Sequence, residues 1–290
     1  MQRELKLRIL SGIVMAVVVL AATWFGGLSF RLLSVLIGLL AYYEWSTMAG
    51  GSKGRFRSEF LIGWAGLLLV CALVLADVYG FALLVLLVAG VVVATGIVGR
   101  MQRMFAAGGL VYAGLIAIAL ASLRGEGQGG LFALLFLFAV VWATDITAYF
   151  VGRAVGGAKL APSISPGKTW SGAIGGTIGG VIAGLVVVLI ALGSVGPAFV
   201  VLSLVLSIVS QIGDLAESAM KRHFGVKDSS HLIPGHGGVM DRVDGLAVAA
   251  FLLFAVAAIL VGFSGATSLQ SAGHMLFGAD TVLQQPMGTD

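Results

Sequence analysis

Long apolar runs dominate this chain and restrict the environment in which it can fold. Nine such segments lie near 9–26, 30–48, 60–78, 81–98, 107–123, 130–151, 171–194, 197–219 and 246–264. Only 10% of the residues are charged, whereas soluble domains carry about 25%. Because a helix of about 20 residues crosses a bilayer and pairs its own backbone groups, the pattern predicts an all-α, polytopic integral membrane protein with about nine transmembrane helices.

Lysine and arginine residues predict the orientation of these helices. If the N-terminus lies in the cytoplasm, 15 of the 17 Lys and Arg residues fall in cytoplasmic connections, and only Arg31 and Arg124 fall outside. The segment 9–26 also has features of a cleaved signal peptide, but its length and the span that follows at once favour an uncleaved first helix. We therefore expect a multi-pass protein of the cell inner membrane, with its polar connections in the cytoplasm.

A charged stretch, residues 218–244, stands out within this apolar chain. It carries both signs of charge around a Pro-Gly-His-Gly-Gly turn at 234–238. Asp214, Glu217, Ser218 and Lys221 lead into it at helical spacing, so these side chains are expected to share one helix face. An ion pair that only eases membrane insertion is the simpler explanation, but the density of both signs favours a site for a metal ion and a polyphosphate.

The carboxylates of this stretch suit magnesium better than zinc. Asp214, Asp241 and Asp244 offer hard oxygen ligands, and Mg²⁺ takes one or two carboxylates together with substrate phosphate oxygens. The cations and the turn's N–H groups suit phosphates. Zinc is disfavoured because Cys71 is the single cysteine and the histidines lack a third soft ligand. His236 is better suited to a hydrogen bond with phosphate or ribose.

A second polar stretch, residues 145–172, contains further candidates. Asp145 lies near the end of an apolar segment, where an ionisable side chain is a functional candidate by default, and Tyr149 follows one helical turn later. Three cations come next in a loop rich in proline and hydroxyl groups, although the bias of positive charge toward the cytoplasm also explains them. The run Ser-Pro-Gly-Lys-Thr lacks the spacing of a P-loop.

Two features outside these stretches concern helix packing and anchoring. Glycines recur every four residues on the seventh segment, which predicts close helix packing rather than a ligand site; they are Gly172, Gly176, Gly180 and Gly184. Glu44 follows two tyrosines near the predicted cytoplasmic interface. The sequence leaves open whether this carboxylate is functional or only an anchor.

The two polar stretches together resemble the phosphatidate cytidylyltransferases, also called CDP-diacylglycerol synthases. The similarity from Ser218 to Asp244 runs over 27 residues without a gap. Residues 145–170 are similar to a second family block with Asp, Ala-Tyr, Gly-Arg, Lys-Leu and Ser-Pro-x-Lys-Thr. The start Leu-Lys-x-Arg-Ile-Leu-Ser-Gly and the Tyr-Glu-Trp around Glu44 are also similar. Ser171 departs from the pattern, because family members usually carry Glu there.

The resemblance implies that CTP and phosphatidate react to give CDP-diacylglycerol and pyrophosphate, with Mg²⁺ as cofactor, in phospholipid biosynthesis. The implied catalytic residues are Asp214, Lys221, Arg222, Asp241, Arg242 and Asp244, with Asp214 and Asp241 as metal ligands. The implied substrate-binding residues are Asp145, Tyr149, Arg153, Lys159, Ser165, Lys168, Thr169, Ser218, Lys227, Asp228, His236, Gly237 and Gly238. Of these, Lys168 and Arg153 are candidates for the lipid phosphate.

The expected organisation has three parts: N-terminal helices over 1–140, a catalytic region over 141–264 with cytoplasmic connections at 152–170 and 220–245, and a non-cytoplasmic tail over 265–290. The sequence leaves the oligomeric state open, a homodimer included, and predicts no nucleic-acid partner. Two alternatives remain: a CTP-dependent enzyme acting on another lipid phosphate, and a transporter. Charge concentrated at one membrane face argues against the transporter. The Asp-Gly-x-x-Ala-Arg start of CDP-alcohol phosphotransferases is missing.

Overall fold

Helices correspond to all nine apolar segments of the sequence. A computed structural model describes residues 2–50, 58–96, 100–233, 237–263, 269 and 272–278. The helices are α1 Gln2–Phe25, α2 Gly27–Gly50, α3 Ser58–Leu75, α4 Tyr79–Thr95, α5 Arg100–Arg124, α6 Gly127–Val155, α7 Trp170–Leu192, α8 Pro197–His223, α9 Met240–Phe263 and the short α10 His274–Phe277. The prediction of an all-α multi-pass membrane protein is confirmed at this level.

Six helices of the described part are long and apolar enough to cross a membrane. They contain the stretches Gly27–Ala49, Arg103–Arg124, Gly127–Val155, Trp170–Leu192, Pro197–His223 and Met240–Phe263. Shorter apolar stretches lie in α1, α3 and α4, at Leu10–Phe25, Phe60–Leu75 and Tyr79–Thr95. Length and composition therefore support six spans, and the count of about nine stays a prediction.

A β-hairpin occupies most of the connection predicted at 152–170. Helix α6 first continues to Val155, and then β1 (Lys159–Ala161) pairs antiparallel with β2 (Ser165–Thr169). In this register Lys159 lies opposite Thr169 and Ala161 opposite Ser165, with an irregularity between the two pairs. The sequence did not predict these strands, because five residues with one proline and one glycine give no alternating pattern.

The chain divides into two compact units. The first comprises 1–122, 221–243 and 268–270; the second comprises 123–220, 244–267 and 271–290. In the first unit, large side chains such as Tyr42, Leu67, Leu86 and Leu110 are fully buried. The predicted division near residue 140 stays a prediction, and most of the predicted tail 265–290 lies outside the described residues.

The second unit is organised by close packing of α7 against α6. The four glycines spaced every four residues along α7 are buried, and a Cβ added at Gly176 would come within 2.8 Å of the Thr144 carbonyl oxygen. The other side of α7 is apolar and exposed, with Ile174, Ile178 and Ile182 each more than half accessible. The predicted packing role of the glycines is confirmed, and the exposed isoleucines suit contact with lipid.

Candidate functional site

A polar cavity of about 580 Å³ lies in the second unit. Its walls come from the end of α6, the hairpin, the start of α7 and the middle of α8. Seven of the residues singled out from the sequence line it, namely Asp145, Tyr149, Arg153, Lys159, Lys168, Thr169 and Asp214. The hairpin and the helices thus bring together residues that are distant in the sequence.

An ion pair between Lys168 and Asp214 joins strand β2 to helix α8 at this cavity. Both side chains are a little over a quarter exposed, so water and a ligand can reach them. Ser218 donates a longer hydrogen bond of 3.4 Å to Asp214 Oδ1. On α6, Arg153 Nη1 donates to Tyr149 Oη over 2.9 Å. The cavity therefore presents cations to an anionic ligand and holds them in place through neighbouring side chains.

Several carboxylates lie near Asp244. Asp244 near the start of α9 is partly buried and lies within electrostatic range of three further carboxylates, those of Asp145, Asp214 and Glu217. Like charges at this separation repel one another. A nearby positive charge would relieve that repulsion, although no three such side chains of the described residues are grouped closely enough to hold a metal ion.

Thr169 and Ser171 hold the junction between the hairpin and α7. Thr169 is buried and caps the helix, because its hydroxyl accepts from the Gly172 N–H over 3.1 Å. Ser171 Oγ lies 3.1 Å from Thr169 Oγ1 and donates to the Gly156 carbonyl oxygen. Thr169, predicted to bind substrate, thus has a capping role, and Ser171 bonds the backbone that follows α6.

An apolar cavity of about 470 Å³ adjoins the polar one in the same unit. It is lined by Leu160, Trp170, Ala173, Ile174, Thr177, Ile178, Ile208, Gln211, Ile212 and Leu215. Leu160, Ala173 and Gln211 line both cavities. Gln211 donates from Nε2 to Thr177 Oγ1 over 3.0 Å, which fixes its side chain at the border. A polar cavity and an apolar one that share part of their lining suit a ligand with a charged head and a hydrocarbon tail.

A second polar cluster, centred on Asp241, lies in the first unit. Lys221 Nζ donates to Asp241 Oδ1 over 2.6 Å, and only 6% of the Asp241 side chain is exposed. Asp241 Oδ2 accepts from the backbone N–H groups of Ser229 at 2.9 Å and Gly238 at 2.8 Å. Residues from both ends of the 229–240 loop therefore converge on this carboxylate at the start of α9.

Glycine is required in this loop. Gly237 has a φ of +80°, a conformation that side-chain-bearing residues rarely adopt. A Cβ at Gly238 would lie 2.0 Å from Ser229 Oγ and 2.6 Å from both carboxylate oxygens of Glu44. Residues 234–236 of the predicted turn lie outside the described part, and the Gly238 N–H donates to the Asp241 carboxylate.

The remaining predicted residues are exposed, half-buried outside the polar cavity, or outside the described part. Arg222, Lys227, Asp228 and Arg242 are exposed, and Arg222 Nη1 donates to the Val226 carbonyl oxygen over 3.3 Å. Ser165 lies on β2 but is absent from the lining of the polar cavity. His236 lies outside the described residues. Their predicted roles remain predictions.

Sequence reasoning did not assign several polar residues that the structure brings to these clusters. Gln211 stands in an apolar segment, which was a usable signal. Ser229 and Ser230 gave none, because serines in a polar loop are common. Glu44 was left undecided between function and anchoring, and the structure makes it a fully buried acceptor.

Comparison with known proteins gives a consistent result. A family model described as the cytidylyltransferase family matches residues 6–260. A phosphatidate cytidylyltransferase of Brucella abortus is 49% identical over 256 residues, which cover 88% of this chain and 94% of that protein. One from Bacillus subtilis is 35% identical over 270 residues, covering 88% and 98%. One from Haemophilus influenzae is 44% identical over 156 residues, covering 51% and 54%.

Proposed function

The chain belongs to the cytidylyltransferase family, and on this premise we propose that it is a nucleotidyltransferase that transfers the cytidylyl group of CTP to phosphatidate. The products are CDP-diacylglycerol, which feeds phospholipid biosynthesis, and pyrophosphate. The Brucella and Bacillus relatives that carry the name phosphatidate cytidylyltransferase align along most of the chain, which supports the same reaction here.

One structural observation carries the proposal: the polar and apolar cavities of the second unit meet at Leu160, Ala173 and Gln211. Phosphatidate has a phosphate head on a hydrocarbon body. Its phosphate would lie beside Lys168 and Arg153 in the polar cavity, and its hydrocarbon part would extend toward the apolar one. Burial of apolar surface and charge pairing would then bind the two ends of one molecule.

The chemistry asks little covalent work of the protein. An oxygen of the phosphatidate phosphate attacks the α-phosphorus of CTP. The bond from the α-phosphorus to the oxygen that bridges it to the β-phosphorus breaks, and pyrophosphate leaves with the electron pair. The nucleophile is already an anion and requires no strong general base. Positioning and neutralisation of phosphate charge supply the rate enhancement. In the second unit, Lys168 and Arg153 would position and neutralise phosphate groups. In the first unit, Lys221 would do the same.

Magnesium belongs to the same proposal, and Asp214 of the second unit and Asp241 of the first each stay a candidate ligand predicted from the sequence. The described residues contain no group of three His, Cys, Asp or Glu side chains that could hold a metal ion. Mg²⁺ does not require three protein ligands, since it takes one or two carboxylates and completes its shell with water and phosphate oxygens. When bound, it would supply charge neutralisation to the triphosphate and the leaving pyrophosphate. Asp214 and Asp241 are each paired with a lysine of their own unit.

We further propose that the protein lies in the cell inner membrane with the polar cavity facing the cytoplasm. The distribution of Lys and Arg supports this orientation, and CTP is available in that compartment. Assembly as a homodimer stays a prediction, which light scattering of the purified protein in detergent would check.

The decisive experiment measures incorporation of radiolabelled CTP into lipid by the purified protein, with and without Mg²⁺. Phosphatidate, a polyprenyl phosphate and an archaeal-type ether lipid phosphate are supplied in parallel. We expect labelled CDP-diacylglycerol with phosphatidate and Mg²⁺ only. Turnover restricted to another lipid phosphate would contradict the proposed substrate, and uptake of a solute without CTP cleavage would favour a transporter.

A further inference from the structure

Glu44 is a buried carboxylate to which the proposed reaction assigns no role. It lies on α2 and has 0% exposed surface. Burying an ionised carboxylate is costly unless hydrogen bonds replace the lost water. A residue that served only as an interfacial anchor would keep its carboxylate in water. The complete burial of Glu44 therefore requires an explanation from its partners.

Four donors from one distant loop surround this carboxylate. Oε1 accepts from Ser230 Oγ at 2.6 Å and from the Val239 N–H at 2.8 Å. Oε2 accepts from Ser229 Oγ at 3.0 Å and from the Met240 N–H at 2.7 Å. All four donors are neutral and all lie within residues 229–240. Glu44 thus ties both ends of the loop to α2.

Two of these donors belong to the start of α9. The first N–H groups of a helix have no partner within the helix, and a negative charge is favourable there. Helix α9 begins at Met240, so the Glu44 carboxylate accepts from the Met240 and Val239 N–H groups at its N-terminus. It acts as a helix cap supplied from another helix, and it fixes where α9 begins.

The same network reaches Asp241. Ser229 Oγ lies 3.0 Å from Glu44 Oε2 and 3.0 Å from Asp241 Oδ2, so its single proton is shared between the two carboxylates. The Ser229 and Gly238 N–H groups also donate to Asp241 Oδ2. Asp241 Oδ1 is left for Lys221. The orientation of the Asp241–Lys221 pair therefore depends on a loop that Glu44 holds.

We infer that Glu44 is a positioning residue for cytidylyl transfer. It fixes both ends of the 229–240 loop and, through this loop, the orientation of the Asp241–Lys221 pair. The inference rests on the proposed function, because that function gives Asp241 and Lys221 their roles. Glu44 itself would touch neither substrate nor metal. Its loss should change how the pair meets phosphate and Mg²⁺, and should leave binding of the lipid largely unchanged.

The test replaces Glu44 by glutamine in the full-length enzyme. The amide keeps one acceptor oxygen and places an NH₂ donor against either the Val239 or the Met240 N–H, which cannot turn away. We expect kcat to fall about tenfold or more, and the Mg²⁺ concentration for half-maximal activity to rise severalfold. The KM for phosphatidate should change by less than about twofold. The matched control is Asp77→Asn, a carboxylate of the same unit paired with Arg31 at 3.5 Å, which should retain wild-type kinetics.

A double-variant comparison separates positioning from general stability. Ser229→Ala removes the hydroxyl shared by the two carboxylates. If Glu44 acts through this bridge, kcat of Glu44→Gln combined with Ser229→Ala falls less than the product of the two single effects. Independent, multiplicative effects would contradict the proposed route. The proposed route would also be contradicted if the Glu44→Gln protein were less heat-stable but its folded molecules kept the wild-type kcat and Mg²⁺ dependence.

Hydrogen exchange supplies a readout that needs no turnover. The Val239 and Met240 amides should exchange faster in Glu44→Gln than in wild type or Asp77→Asn. Unchanged exchange would show that Glu44 does not hold the loop. It would overturn this inference but not the proposed function. A wild-type protein that exchanges as expected but makes no CDP-diacylglycerol would instead overturn the proposed function, and with it the role in transfer.

Discussion

At the scale of single residues, the Lys168–Asp214 ion pair is the contact most directly open to test. Lys168 lies on β2 and lines the polar cavity, where it is the candidate for the lipid phosphate. Replacing it by methionine keeps much of its length and removes its charge. We expect kcat/KM for phosphatidate to fall on the order of 100-fold, because one aimed electrostatic contact is typically worth that much.

The steady-state assay with varied phosphatidate checks this outcome. Lys168→Arg keeps the charge and should retain more activity than Lys168→Met. The control is Arg31→Met, which removes a cation of the first unit whose partner is Asp77. Equal losses from Lys168→Met and Arg31→Met would indicate general destabilisation instead of a role at the phosphate.

The proposed metal ligands give the second prediction at this scale. Asp214→Asn and Asp241→Asn each remove one negative charge and one strong oxygen ligand. We expect each variant to lose at least about 100-fold in activity at low Mg²⁺, with partial recovery as Mg²⁺ is raised. Titration of activity against Mg²⁺ measures this effect. Full activity of both variants at low Mg²⁺ would reject these residues as ligands.

Residue identities were easier to predict than their partners. Asp214 and Lys168 were both candidates from the sequence, because charges are rare in this chain. Their pairing depends on a hairpin that the sequence did not predict. Lys221 was expected to share a helix face with Asp214, and the structure adds an ion pair between Lys221 and Asp241 that the sequence did not predict. Helical spacing predicts which face a residue occupies, but the partner comes from the rest of the fold.

At the scale of elements, the glycine face of α7 determines how α6 and α7 pack. A Cβ at Gly180 would come 2.1 Å from Thr144 Oγ1 and 2.9 Å from the Val140 carbonyl oxygen. Thr144 is itself bonded to Ser207 Oγ at 2.7 Å, so it cannot turn away without losing that bond. We expect Gly180→Ala to destabilise the protein by about 1–3 kcal/mol.

Thermal unfolding in detergent measures this loss. Gly262→Ala near the end of α9 is the matched control, because a Cβ there would meet nothing within 4 Å. It should be neutral or stabilise the helix by about 0.5–1 kcal/mol, since alanine loses less backbone entropy than glycine. Similar destabilisation by both substitutions would contradict a specific packing role for Gly180.

Helices were predictable from the sequence because apolar runs of this length have few alternatives in lipid. Helices α6 and α8 extend a few residues beyond the predicted spans, whereas α7 begins one residue earlier and ends two residues earlier than predicted. The 159–169 hairpin was missed because its short strands, one of them with proline and glycine, give no alternating pattern. Thr169 illustrates the limit: its hydroxyl caps α7, a role that the sequence did not assign, while its contact with substrate stays a prediction.

At the scale of the whole molecule, orientation in the membrane is the main prediction. Helix α7 has 23 residues and spans about 34 Å, so its two ends should face opposite compartments. Ser163 precedes it and Ser194 follows it, and both are exposed. In a background with Cys71 replaced by alanine, Ser163→Cys should react with an impermeant maleimide from the cytoplasmic side only, and Ser194→Cys from the opposite side only.

Labelling of intact cells and of inverted membrane vesicles distinguishes these sides. The Cys71→Ala protein without added cysteine supplies the background. Reaction of both positions from the same side would show that α7 does not cross the membrane. Reversed accessibility would invert the orientation predicted from Lys and Arg and would place the polar cavity away from the compartment that contains CTP.

The tie between Glu44 and the 229–240 loop also has a consequence for biogenesis. The first unit is discontinuous in sequence, since it contains 1–122 and 221–243 but not the residues between them. A ribosome therefore delivers α2 to the membrane well before it makes the four donors that surround Glu44. Until then the carboxylate is an unsatisfied charge in an apolar helix, a costly state. The part of the chain that is synthesised first completes its structure only after residues 123–220, the first and longest segment of the second unit, have been made.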